Sequence, residues 1–247
     1  VLVLYSNRRD ARIVTVGDRE LPRMLNAGHP NGVDYYSEFI DQVRLSDTDY
    51  IAAFRNFLRL KYGGHGFDLI IAMDDNSRDF LEKTRQELFP TVPVVFFSLR
   101  PDSRRPANAT GVVSRLNLAE TLDLASALQP DVRQVFVVSG AETANTTNET
   151  MARAQFSAYE PRLEFTYLTG LSTDALASRL AKLPAHSIVY YLVVYRDGQG
   201  ESFEPLAYLD RVAGAGNAPT YCWVDSALDH GIVGGRLRSQ GGQGRGG

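Results

Sequence analysis

The chain has 247 residues, 26 basic against 29 acidic side chains for a net charge of -3, and 44% hydrophobic residues. That length holds one large domain or two smaller lobes, and the slightly acidic balance excludes a basic footprint for nucleic acid or an anionic membrane. A single cysteine, Cys222, excludes an internal disulfide and a Cys-based metal cluster, and no apolar run reaches the ~20 residues that span a bilayer.

In chain order, six apolar runs stop at polar or small residues. They are Val1 to Asn7, Phe67 to Asp75, Val92 to Ser98, Val132 to Gly140, Ser187 to Asp197 and Pro219 to Ser226. Near-continuous runs of this kind predict strands buried on both faces of a parallel sheet. Val33 to Ile40 and Arg162 to Leu168 add two more strands. Helical spacing predicts helices over Thr48 to Tyr62 (stopped by Gly63-Gly64), Asn76 to Leu88 (closed by Pro90) and Asn117 to Leu128, which opens on a polar cap. Thr143 to Tyr159, Ser172 to Leu183 and Phe203 to Ala213 complete the set. Strand-helix alternation argues a parallel α/β fold. Rhythm breaks at Ala107 to Ser114 (ANATGVVS), which reads as a connection between two sheets of four strands. The chain begins inside a strand and ends in SQGGQGRGG, so it reads as part of a longer protein whose targeting signals lie elsewhere.

Open parallel sheets bind ligands beyond the carboxyl ends of their strands, so the residues at those ends are the site candidates. Ser6 can donate to a ligand or make a turn, and Arg8 can pair an anion or cap a helix. Asp74 can contact ligand or cap the helix behind it; the neighbouring Asp75 invites a metal, but no DxDxDG spacing exists. Phe97 offers aromatic surface or core packing, and Ser98 ends the same strand. Glu142 lies in a Gly140 to Thr143 loop whose amides could hold an anion. Tyr195 and Asp197 close the Ser187 to Asp197 run, where Arg196-Asp197-Gly198 also reads as a turn; Trp223 and Asp225 close the last one. No GxGxxG follows the first strand, and GxxxxGK[ST], GxSxG and HxxxH are absent, so nothing points to a nucleotide, a catalytic serine or a metal, and no cofactor is expected.

The segments VLYS, KY followed by FDLIIA (Lys61 to Ala72), LFPTVPVVFF (Leu88 to Phe97), NATGV (Asn108 to Val112), TLDLASALQPDVRQVFVVSG (Thr121 to Gly140), YLTGLS (Tyr167 to Ser172) and APTYCWVDSALDHGIVGG (Ala218 to Gly235) together resemble the ABC-transporter substrate-binding-like family of type 1 periplasmic-binding-protein folds. More narrowly, they resemble the extracytoplasmic sensor domains of bacterial histidine kinases. The resemblance implies two α/β lobes, each a mainly parallel sheet flanked by helices: residues 1–110 plus 232–247, and residues 111–231. It further implies a small solute, aromatic or carboxylate-bearing, in the inter-lobe cleft, a periplasmic location, and lobe closure that signals to a membrane histidine kinase. Ser6, Asp74, Phe97, Ser98, Glu142, Tyr195 and Asp225 are then the expected ligand contacts. The solute-binding component of an ABC importer is the alternative reading. An α/β enzyme using the Asp74 and Asp225 carboxylates is a third, without a motif to support it.

Overall fold

The computed structural model describes residues 1–42, 45, 47–100, 106–141 and 143–235, the side chains of 143–147 excepted. Its described residues divide into two compact units, one from Val1 to Leu116 and one from Asn117 to Gly235. The first contains β1 (Leu2–Tyr5), α1 (Arg12–Gly28), β2 (Tyr36–Phe39), α2 (Thr48–Tyr62), β3 (Ile70–Ala72), α3 (Asp75–Leu88), β4 (Val94–Ser98) and β5 (Ala109–Val113). Its five strands run in the order β2-β1-β3-β4-β5 and every neighbouring pair is parallel. Because side chains alternate along a strand, β1 sends Leu2 and Leu4 to one face with Ile70 and Ala72, where Leu58 and Tyr62 of α2 and Phe80 and Leu81 of α3 cover them. Val3 and Tyr5 go to the other face with Ile71, under Val14, Leu21 and Leu25 of α1. Burial on both faces explains why these strands read as unbroken apolar runs.

The second unit contains α4 (Ala119–Leu128), β6 (Gln134–Ser139), α5 (Thr143–Phe156), β7 (Glu164–Thr169), α6 (Thr173–Leu180), β8 (Ser187–Tyr191), α7 (Pro205–Ala215) and β9 (Thr220–Cys222), with 3-10 turns at Ser157–Tyr159 and Asp225–Ala227. The order β7-β6-β8-β9 is again wholly parallel. Phe136, Val138, Val189, Tyr191 and Cys222 pack with Leu176 and Leu180 of α6 and Leu209 and Val212 of α7. On the opposite face, Phe156 of α5 meets the Tyr190 ring at 5.1 Å, and the Tyr190 hydroxyl donates to the Leu118 carbonyl at 2.9 Å. Both sheets are wound alike, with the second strand outside the first and the third inside it. The chain therefore leaves adjacent strands in opposite directions at β1/β3 and at β6/β8, the switch points where open sheets take ligands.

Several boundaries differ from the sequence expectation. ANATGVVS holds a fifth strand, β5, paired along β4, so the first unit reaches Leu116. Helix α1 carries a sparse apolar stripe around Pro22, a residue that normally stops a helix. The Ser187 to Asp197 run is strand only to Tyr191: Val193 takes a left-handed φ of 73°, costly for a β-branched residue, and turns the chain out of the sheet. Residues 232–235, expected with the first lobe, pack in the second unit, where Ile232 joins the core and Gly234 bridges Tyr221. Helix α4 has no polar cap of its own; Gln155 Oε1 accepts from the Leu118 and Ala119 amides at 2.7 and 3.2 Å. Among the described residues, no helix is long and apolar enough to cross a membrane.

Candidate functional site

In parallel sheets every strand delivers its carboxyl end to the same edge, so each unit has one edge to inspect. At the first unit's switch point the Ser6 amide donates to Asp74 Oδ2 at 2.9 Å and the Ser77 amide to Asp74 Oδ1 at 2.8 Å, while the Asp74 amide donates to Ser77 Oγ at 3.1 Å. Asp74 is thus the N-cap of α3, in a reciprocal capping box, and it fastens the β1 loop as well. Burial pushes its carboxyl up, and the hydrogen bonds from Ser77 and Ser6 oppose that shift without cancelling it. Both its oxygens already have partners.

Next along the edge, the buried Ser98 hydroxyl donates to Asp75 Oδ1 and accepts from the Arg100 amide at 3.1 Å. The Leu99 amide donates to Asp75 Oδ2 at 3.0 Å, and Arg100 spans Asp75 and Asp79. Phe97 is half-buried, on the face of β4 opposite Phe96. The structure thus joins Ser6 to Asp74 directly and sets Ser98 on the adjoining carboxylate. Beyond β2, Gln42 Oε1 is buried without a hydrogen-bond partner among the described residues.

The second unit's edge is built differently. Beyond β6, Glu142 lies outside the described residues. At the end of β7, Thr169 Oγ1 donates to Glu149 Oε2 at 2.6 Å, and Arg153 of α5 donates to Glu149 Oε1 through Nε and Nη2 at 2.9 and 2.7 Å. Burial would raise the Glu149 carboxyl; the Thr169 and Arg153 hydrogen bonds outweigh it and hold the carboxyl below its usual value. Past β8, the Tyr191 hydroxyl accepts from the Val194 amide at 3.0 Å and donates to the Pro205 carbonyl at 2.8 Å, pinning the turn at Val193.

Tyr195 therefore sits beyond that turn and not at a strand end. It is half-buried, its carbonyl accepts from the Phe203 amide at 2.8 Å, and Arg196 bridges Ser202. Asp197 fixes this loop. Its Oδ1 accepts from the Gln199 and Glu201 amides (2.9 and 3.1 Å), and its Oδ2 from the Thr173 amide and hydroxyl (3.1 and 3.0 Å). Desolvation pushes the Asp197 carboxyl up, but these four bonds prevail and lower it. Gly198 lies so close to the Gly170 carbonyl that no Cβ would fit.

Beyond β9, Asp225 opens the 3-10 turn Asp225–Ala227. Its Oδ1 and the Trp223 indole Nε1 are buried with no hydrogen-bond partner among the described residues. A buried acceptor and a buried donor, two residues apart and both unmet, are costly to leave so. The neighbouring Cys222 thiol is fully buried and pushed up to about 12 by desolvation, so it is inert. His230 is paired to Asp210 of α7 at 3.0 Å.

A scan against protein-family models finds no match, and a search of curated proteins finds none. Solved structures do share the fold. The ABC domain in complex with L-Trp from Streptococcus pneumonia is 16% identical, with a TM-score of 0.63, over 98% of this chain and 80% of that one. A conserved domain protein from Vibrio cholerae is 14% identical with a TM-score of 0.66, covering 99% and 81%. The periplasmic binding protein component of the arabinose ABC transporter from Shewanella sp. ANA-3 is 13% identical with a TM-score of 0.59, covering 99% and 83%. The chain accordingly has an α/β fold of parallel sheets flanked by helices, as periplasmic-binding-protein-like solute-binding proteins have.

Proposed function

We propose that this chain is an extracytoplasmic binding module that holds a small solute at the carboxyl edges of its sheets and performs no chemistry on it. The unmet Trp223 N–H and Asp225 carboxylate oxygen carry this reading, because a ligand that accepts from one and donates to the other would satisfy both. An amino-acid zwitterion offers both functions: an ammonium for Asp225 and a carboxylate for Trp223. Phe97 and Tyr195 would supply aromatic surface, and Ser98, Asp74 and Glu142 would complete the contacts. Asp74 and Ser98 would do so mainly by holding the loops that surround the ligand, since their own polar groups are engaged. A ligand that binds a closed state better than an open one favours it by that differential affinity, which is the output a binding module needs.

The partner is proposed to be a membrane histidine kinase, from the resemblance to such sensor domains. A second reading, the solute-binding component of an ABC importer, is favoured by neighbours that are themselves described as transporter components. The deciding experiment is a thermal-shift screen over L-tryptophan, other amino acids, aromatic acids and pentoses. A true ligand at 100 times its dissociation constant stabilises the chain by about 2.7 kcal/mol. Absence of any shift across these classes, or turnover of a bound compound, would sink the reading.

A further inference from the structure

Strand β7 is an outer strand of its sheet, paired only with β6. The Glu164 amide donates to the Arg133 carbonyl and the Gly170 amide to the Ser139 carbonyl. Even-numbered residues of β7 therefore turn their backbone groups toward β6, and Phe165, Tyr167 and Thr169 turn theirs outward. Among the described residues these outward groups have no backbone partner. Natural sheets protect such edges with charges, proline, bulges or a covering segment. Of those devices β7 carries only the charge of Glu164 at its start; Phe165-Thr166-Tyr167-Leu168-Thr169 holds no charge and no proline. The other edge of the same sheet is treated differently, since Gly234 lies along β9 and accepts from the Cys222 amide at 3.2 Å.

We propose that the outer edge of β7 pairs antiparallel with the β7 of a second copy of this chain, about a two-fold axis at Tyr167. In that register Tyr167 faces its own copy and Phe165 faces Thr169, so each outward residue exchanges both an N–H and a C=O bond with its partner. All outward donors and acceptors are then used, and none is left over. A two-fold interface must also be complementary to itself. The surface beside β7, around a groove of about 560 Å³, meets that demand: Arg133, Arg153 and Arg162 are set among Glu160 and Glu164, with Glu149 on Arg153. Glu164 falls across from Gly170, and Arg153, which lies over the Tyr167 ring at 3.5 Å and so comes near its own copy, has its charge paired by Glu149. At the hydrogen-bonded positions Tyr167 faces Tyr167 and Phe165 faces Thr169, aromatic and β-branched pairs that stabilise sheets.

The test is sedimentation equilibrium of the full chain, with expected reversible dimerisation. Tyr167→Pro removes an outward N–H from each copy while leaving the β6 ladder intact, and it should weaken dimerisation roughly tenfold or more. Tyr167→Cys puts two thiols on the axis, with Cα atoms about 5.5 Å apart, and should oxidise to a covalent dimer. Glu164→Cys, about 20 Å from its own copy in this register, should not. If Tyr167→Pro fails to fold, the two cysteine variants decide alone. A chain that stays monomeric up to several hundred micromolar overturns the proposal. So does a dimer insensitive to position 167, or an edge that only a different peptide protects from amide exchange.

Discussion

Replacing Asp225 by alanine separates a ligand contact from a structural acid, because the two roles predict opposite balances between affinity and stability. In the folded chain Asp225 Oδ1 is buried and accepts no hydrogen bond from the described residues. An unmet buried acceptor costs about 1–3 kcal/mol, so its removal should leave the melting temperature unchanged or raise it. A charge-assisted hydrogen bond to ligand is worth about 1.5–3 kcal/mol, so the same change should weaken binding by about 10- to 150-fold. Isothermal titration with a solute found in the screen, alongside a melting curve, measures both quantities. Unchanged affinity, or a stability loss as large as the binding loss, would falsify the assignment and make Asp225 a structural residue of the turn after β9.

Asp74→Ala should show the converse pattern. It leaves the Ser77 and Ser6 amides unmet at once, and a lost cap costs about 1–2 kcal/mol, so denaturant midpoints should fall whether or not ligand is present. Asp197→Asn should destabilise at neutral pH by about 1–3 kcal/mol, because its amide would confront donors that now face a carboxylate. The Asp197 carboxyl is lowered in the folded chain, so its contribution is complete above the ordinary value of about 4 and disappears as pH falls through the folded one. The stability gap between wild type and variant should therefore shrink as pH falls from about 4 through the lower folded value; a gap that is constant with pH refutes the mechanism. Cys222 should resist thiol reagents in the native chain and react only on unfolding, since burial keeps it protonated. Stoichiometric labelling without denaturant would contradict this.

How much of this was legible in the sequence depended on whether the deciding contacts were local. The strands β1, β3, β4, β6 and β9 were visible because residues such as Leu4, Ile70 and Val137 are buried on one face while Val3, Ile71 and Phe136 are buried on the other. Asp74 as a helix cap was also visible, and Ser77 three residues on is its local signal. Strand β5 was hidden because it is an edge strand with alternately exposed residues and a glycine inside, so its apolar signal is diluted. Helix α1 was masked by Pro22, which the helix tolerates because Val14, Leu21 and Leu25 bury one stripe on Val3 and Tyr5.

The second unit's edge was less legible, because there the chain is shaped by distant partners. Ser187 to Asp197 looks like one strand by composition, but the hydroxyl of Tyr191 reaches forward to Val194 and Pro205 and holds Val193 in a conformation its side chain disfavours. The sequence leaves Asp197 open between a strand-end site and a turn; the structure puts it in a turn, and its second oxygen serves Thr173, 24 residues upstream, for which there is no local signal. The Glu149–Arg153 pair on α5 did have a local signal in its four-residue spacing, while its link to Thr169 across the sheet had none. The edge whose loops rest on long-range bonds is also the one where, among the described residues, Trp223 Nε1 and Asp225 Oδ1 are unmet. Loops fixed by such bonds are what preorganised binding requires, and under the proposed function a solute would meet the Trp223 and Asp225 groups that no described residue satisfies.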